Sequence, residues 1–227
     1  MLPIEKCLEM NRFVYAEFKK AIRPGVSEQA LKDAFVGAIA RGPYASKGYE
    51  YNLMAGARTS LIGEKEAPAH VVQAGDAILF DLMIEVDGYW SDTTRVFFCG
   101  EPGGEAIRMY NAVNEVLAKL ESFIKPGCSG KEIRAFASKC FDEQGFAGMF
   151  PHHAGHQIAH AVCVEPDFTP DCEGKVEAGM TITLEPGIYL QDVVGIRLEN
   201  DYLVTERGLV NLTPFSTDIK DYIVQAG

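Results

Sequence analysis

Four carboxylates stand in apolar, strand-like surroundings: Asp81 and Asp92 in DLMIEVDGYWSD, Glu185 in MTITLEPGIYL and Glu199 in GIRLENDYLVT. A single acid in such a segment is ordinarily a strand or hairpin end. Four of them in two pairs call for another account, because buried like charges do not stay ionised together without a compensating cation. A metal ion is the simplest compensation. Four of the five histidines crowd into PHHAGHQIAH, residues 151–160. One imidazole added to four carboxylates makes an oxygen-rich donor set with a single nitrogen. Such a set suits hard or borderline divalent ions: Mn, Co, Fe(II) or Zn. Two ions a few ångströms apart, sharing carboxylates, activate a water for hydrolysis.

The elements that must position these residues are legible. In DLMIEVDGYWSD the Asp87-Gly88 dipeptide suits a two-residue hairpin, since both positions tolerate positive φ. If Val86 pairs with Tyr89, then Met83 pairs with Asp92; Asp81 shares a face with Met83, and Asp92 lies diagonally across from it. The hairpin is expected over 77–98, and a second strand pair over 180–190 and 195–205. Upstream of each lies a matching segment, AEFKKAIRPGVSEQAL from Ala16 and AKLESFIKPGCSGKEI from Ala118. In both, a helix stops at Pro-Gly and a serine, Ser27 or Ser129, N-caps a second helix, expected over 27–41 and 129–145. Each half is thus two helices followed by a hairpin with two embedded carboxylates. A pseudo-two-fold axis would gather all four, with the pairs in corresponding places.

Composition narrows the setting. A chain of 227 residues, 47% hydrophobic and 23% charged, has room for one large domain or two small ones. The net charge of −11 argues against nucleic acid or an anionic membrane as partner, and solubility alone accounts for it. Nothing reaches the length of a membrane span, and MLPIEKCLEMNRF lacks a basic segment followed by an apolar one, so no secretory signal is expected. The six cysteines (Cys7, Cys99, Cys128, Cys140, Cys163, Cys172) have no CxxC spacing. They are expected as thiols in a reducing cytoplasm, most of them small core residues.

The motifs DGYWSDTTR, PHHAGHQIAH, EPGIY and GIRLEN together resemble the pita-bread metallopeptidases: methionine aminopeptidase, aminopeptidase P, prolidase and their non-peptidase relative creatinase. The resemblance covers nearly the whole chain as a single catalytic domain, 1–227, with pseudo-repeats of about 1–100 and 101–227. The N-terminal domain carried by aminopeptidase P and prolidase is not in it. The resemblance implies an α/β (α+β) fold with a curved antiparallel sheet covered by two helix pairs. It also implies two divalent ions held by Asp81, Asp92, His156, Glu185 and Glu199. Asp92 and Glu199 would bridge them, Asp81 would complete one shell, and His156 with Glu185 the other. Glu185 would double as proton shuttle, and His152, four residues before the ligand histidine, keeps the family's identity. Arg197 has a family counterpart near the metals and is expected to orient Asp81 or Asp92.

Two positions depart from the pattern. Seven residues after His156, where the peptidases place a substrate-contacting histidine, stands Cys163; 17 residues before Asp81, where a second is expected, stands Glu64. A thiol does not replace imidazole as donor or acid near pH 7. Cys163 therefore reads either as a substrate neighbour or as a small buried residue. His153, His160, His70 and Glu64 are the alternatives for the missing imidazoles.

Three functions follow. The first is a dinuclear hydrolase of small peptides, closer to Xaa-Pro peptidases than to methionine aminopeptidase, in which a metal-activated hydroxide attacks the N-terminal peptide bond. The second keeps the metals but acts on a non-peptide amide or catalyses elimination. The third is a binding module, against which the five retained ligands count. The expected partners are a small peptide or small-molecule amide, with a homodimer left open.

Overall fold

The computed structural model describes residues 3–62 and 67–225; Glu64 lies outside them. Helix α1 (Pro3–Ala21) buries Cys7, Met10, Val14 and Phe18, three and four residues apart, as one apolar stripe. It ends at Pro24-Gly25, and the Ser27 hydroxyl accepts from Ala30 N to cap α2 (Glu28–Arg41). The chain then forms β1 (Gly48–Ala55), β2 (Ala77–Val86) and β3 (Tyr89–Cys99). The pattern repeats with α3 (Gly104–Phe123) and α4 (Gly130–Glu143), where Ser129 and Glu132 close a reciprocal capping box. Short strands follow: β4 (His156–Gln157), β5 (Val164–Asp167), β6 (Thr181–Leu184), β7 (Gly187–Leu190), β8 (Val194–Arg197), β9 (Asn200–Thr205), β10 (Gly208–Asn211) and β11 (Ile223–Val224). Both expected second helices and the first hairpin are present.

The hairpin keeps the expected register, Val86 opposite Tyr89 and Met83 opposite Asp92, with Asp87 and Gly88 at φ of 55° and 85°. All ten residues of β2 are buried, because both of its faces are covered. Ile78, Phe80, Leu82, Ile84 and Val86 pack in one core with α1 and α2, while Ala77 and Leu79 join a second core around α3 and α4. Asp81 continues that second face. One edge of the sheet order β1-β2-β3-β11 is β11, which runs parallel to β3; a five-stranded sheet runs β10-β9-β6-β4-β5, and β7 pairs with β8. Glu199 N donates to Thr94 O at 3.1 Å, and Arg95, fully buried, donates to Glu199 O and to Asn200 Oδ1, both at 2.6 Å. These bonds join the two halves.

The second strand pair differs from expectation. The segment 180–190 is two strands, β6 and β7, in different sheets, and 195–205 is likewise split into β8 and β9. Pro186 has no N–H for a ladder, so the chain changes sheet there. Glu185 and Glu199 sit in the breaks, and their N–H groups bond instead to Ala154 O and Thr94 O. Among the described residues no helix is long and apolar enough to cross a membrane.

Candidate metal centre

Asp81 and Asp92 enter from β2 and β3, Glu185 and Glu199 from the two breaks, and His156 from the start of β4. Gly155 sets that last position: a Cβ there would lie 2.1 Å from Thr183 O, so only glycine lets the loop approach β6 closely enough. All five residues are buried, from 1% exposed at Glu199 to 7% at Glu185. They line a cavity of about 280 Å³ together with Asn52, Met54, Ile62, Met83, His152, His153, Val162, Cys163 and Arg197.

The hydrogen bonds divide the carboxylate oxygens into satisfied and unsatisfied ones. Asp81 Oδ2 accepts from Arg197 Nη2 at 2.5 Å and from Asn52 Nδ2 at 2.9 Å. Glu199 Oε2 accepts from Thr94 Oγ1 at 2.7 Å. Asp81 Oδ1, Asp92 Oδ1 and Glu199 Oε1 are buried with no hydrogen-bond partner. Such atoms are costly to bury, and three of them around one cavity fit a cation as the missing partner. Burial and the neighbouring carboxylates Asp81 and Glu185 push Asp92 well above the usual carboxylate range; burial and Asp92 do the same to Glu199. Within reach of one another are ligand atoms of Asp92, His156 and Glu199, and in a second group those of His152, His153 and Glu185.

The two adjacent histidines face different ways. His152 Nδ1 lies 2.7 Å from His153 O, a carbonyl that only accepts, so Nδ1 carries the proton. Its Nε2, 2.9 Å from Tyr189 OH, therefore accepts from the phenol, which in turn accepts from Arg197 Nη1 at 3.0 Å. Burial holds His152 down at about 4, leaving it neutral with both nitrogens engaged. His153 instead sets Nε2 2.9 Å from Glu185 Oε1 and Nδ1 2.6 Å from Asp167 Oδ1. Burial opposes its charge, but Glu185 and Asp167 overcome this and raise it. Burial likewise favours the neutral form of Glu185, yet the His153 bond and the surrounding imidazoles bring it down to about 2.

Other sequence candidates land elsewhere. Cys163 is exposed on the cavity rim rather than a small buried residue, because it sits just before β5, outside both cores. Desolvation and nearby carboxylates push it up to about 11, so it stays a thiol. His160 is turned out of the cavity: its Nδ1 lies 2.9 Å from Gly88 O at the hairpin turn, and its ring rests on Tyr89. His70 lies against the start of α2, where Glu28 N donates to His70 O. Asn52 and Asp167 lie in none of the motifs, and Thr94 and Tyr189 stand within DGYWSDTTR and EPGIY without a role that the sequence assigns; cross-strand register and loop pairing bring all four to the site.

A family model, Metallopeptidase family M24, matches residues 3–206. The chain belongs to this family. An uncharacterized peptidase of Staphylococcus epidermidis is 33% identical over 217 residues, covering 93% of this chain and 58% of the relative. The chain therefore spans less than two thirds of that relative's length. The X-Pro aminopeptidase from Thermotoga maritima superposes with a TM-score of 0.91 at 27% identity, over 98% of this chain and 62% of that one. The prolidase from Pyrococcus furiosus gives 0.88 at 26% identity, over 94% and 63%. These M24 structures share the pita-bread architecture expected from the motifs.

Proposed function

We propose that the chain is a dinuclear metal-dependent hydrolase of small peptides, cutting next to an N-terminal residue as Xaa-Pro peptidases do. The observation that carries this is the convergence of four buried carboxylates and His156 on one cavity, with three carboxylate oxygens lacking any hydrogen-bond donor. Asp92 and Glu199 would be shared between two ions, Asp81 would complete one shell, and His156 with Glu185 the other. Bound there, divalent ions supply Lewis acidity and make water a usable nucleophile near neutral pH.

The remaining work falls to the chain's own groups. Glu185, held ionised, accepts a proton at its carboxylate and returns it to the leaving nitrogen. Arg197 and Asn52 fix Asp81 through charge-assisted and amide hydrogen bonds. His152 acts by position: it ties the His153 carbonyl to Tyr189 and so to Arg197. Met54, Ile62, Met83 and Val162 offer an apolar wall for a small side chain or a proline ring.

A second reading, a non-peptide amide substrate or an elimination on the same metals, is favoured by the exposed Cys163 thiol. It stands where a peptide-handling imidazole is expected, and a thiol is a weak hydrogen-bond donor. The test is an assay with Mn(II) added and bound metal quantified, against Xaa-Pro dipeptides, N-terminal tripeptides and small non-peptide amides. Metal-dependent release of the first residue, abolished in Glu185→Ala, supports the peptidase. Two bound ions without peptide cleavage moves the assignment to the second reading, and no bound metal to a binding module.

A further inference from the structure

We propose that His153 is a ligand of the ion held at Glu185, giving that ion two imidazole nitrogens instead of one. The proposal rests on the metallohydrolase reading and concerns the make-up of one of its two sites. His153 Nε2 lies 2.9 Å and His156 Nε2 3.6 Å from the same oxygen, Glu185 Oε1, and the two rings stand 5.4 Å apart. Both imidazole nitrogens thus approach the same carboxylate oxygen.

The far side of each ring supports the same conclusion. A metal-binding imidazole is ordinarily oriented by its second nitrogen, which donates to a carboxylate or carbonyl. His153 Nδ1 meets Asp167 Oδ1 at 2.6 Å, and His156 Nδ1 meets the Gln157 carbonyl at 3.1 Å. Asp167 reaches that position because it pairs with His156 across β4 and β5, and Phe168 N donates to Gly155 O. His152 cannot play this part although its Nδ1 lies 3.8 Å from Glu185 Oε2: that nitrogen's proton goes to His153 O, and Nε2 goes to Tyr189.

The competing role for His153 is an ion pair that merely neutralises Glu185. The two roles predict opposite results. A ligand, when removed, weakens the ion; an ion-pair partner, when removed, frees Glu185 and tightens it. An added nitrogen also shifts preference from Mn(II) toward Co(II) and Zn(II), for which imidazole is the better ligand.

The experiment is calorimetric titration of the chelator-stripped full chain with Co(II) and with Mn(II), following the visible Co(II) bands, for wild type, His153→Ala and Asp167→Asn. Far-UV circular dichroism checks folding. The expected result is two Co(II) ions in the wild type, one of them weakened on the order of 100-fold by His153→Ala and about 10-fold by Asp167→Asn, with altered Co(II) bands and a smaller effect on Mn(II). Unchanged or tighter Co(II) binding with unchanged bands in His153→Ala overturns the proposal and leaves the metallohydrolase reading intact. Wild type that takes up no Co(II) overturns both. If His153→Ala does not fold, Asp167→Asn decides in the same way.

Discussion

The two halves build the same hairpin base from the same contacts. Gly75 N donates to Cys99 O and Cys99 N to Asp76 O in the first; Gly179 N donates to Val204 O and Val204 N to Met180 O in the second. The registers Ala77–Phe98 and Thr181–Leu203 start from these equivalent points. Counting along them sets Asp81 against Glu185, Arg95 against Asn200, Thr94 against Glu199 and Asp92 against Arg197. The expectation that both carboxylate pairs occupy corresponding places therefore holds only for Asp81 and Glu185. The other corresponding positions are complementary instead of alike. Thr94 Oγ1 donates to Glu199 Oε2, and Arg95 Nη2 to Asn200 Oδ1, each residue bonding its own counterpart across the axis. A strictly symmetric site would set like charges face to face at that axis, which burial forbids. Repetition supplied the scaffold, and divergence supplied the partners.

That comparison can be broken most forcefully at Glu185, the counterpart of Asp81. Glu185→Gln should lower kcat by about 10²–10⁴-fold while Asp81→Asn acts mainly on metal affinity, a split that steady-state kinetics and metal titration would resolve. Equal effects on both quantities would mean the two positions are functionally as well as structurally equivalent. Next in size is Arg197→Ala, which leaves Asp81 buried without its cationic partner. Chemical denaturation of the metal-free protein should show a loss of about 3–5 kcal/mol. Substituting lysine should not restore the bond to Tyr189, since one ammonium cannot span the guanidinium's three contacts.

The excess of acid on this side of the molecule also predicts a pH dependence. Burial raises Asp201, whose Oδ2 accepts from Asp92 N, from 3.8 to about 8, so the folded state holds a proton that the unfolded state has released. Stability of the metal-free protein therefore falls as pH rises through this window. His152, lowered from 6.5 to about 4, gives the opposite slope below 6.5 only, and the raised His153 adds to the fall above it. Between pH 6.5 and 8 the loss should be at least about 1 kcal/mol per pH unit, read from denaturation midpoints in chelator. Divalent ions should flatten it; a stability that rises with pH there would contradict the buried-acid account.

Smaller effects test the counterpart bonds themselves. Thr94→Val removes the donor to Glu199 and should cost about 1–2 kcal/mol in metal-free protein. At the helix caps the halves differ again: Ser129 closes a full capping box with Glu132, whereas Ser27 makes a single side-chain bond. Ser129→Ala should therefore cost about 1 kcal/mol and Ser27→Ala less, a difference visible in thermal melts.

Much of the fold was legible because it is written in local chemistry. The apolar stripe of α1, the serine caps, the Asp87-Gly88 turn and the Met83–Asp92 pairing all depend on residues a few positions apart. The breaks at Pro186 and before Glu199 were less legible, since an apolar run bounded by turn residues reads as one strand whether or not it changes sheet. The four acids could be gathered from their unusual setting alone, as like charges that burial would not tolerate together, whereas His156 is singled out of the histidine cluster only by the family resemblance.

Which side chain faces which was decided only in three dimensions. Asn52 meets Asp81 through the pairing of β1 with β2, and Asp92 receives Asp201 from a strand in the other half. His152 and His153 are neighbours of the same type, yet one bonds Tyr189 and the other Glu185. In an irregular loop no period assigns a face, so direction follows from what the loop packs against: Gly155 pressed onto Thr183 and Asp167 beneath His153. The sequence by itself set four acids and an imidazole in surroundings where a cation would offset their charge. The tertiary structure decided which of their oxygens were left without a hydrogen-bond partner, because only packing across distant segments uses up the rest.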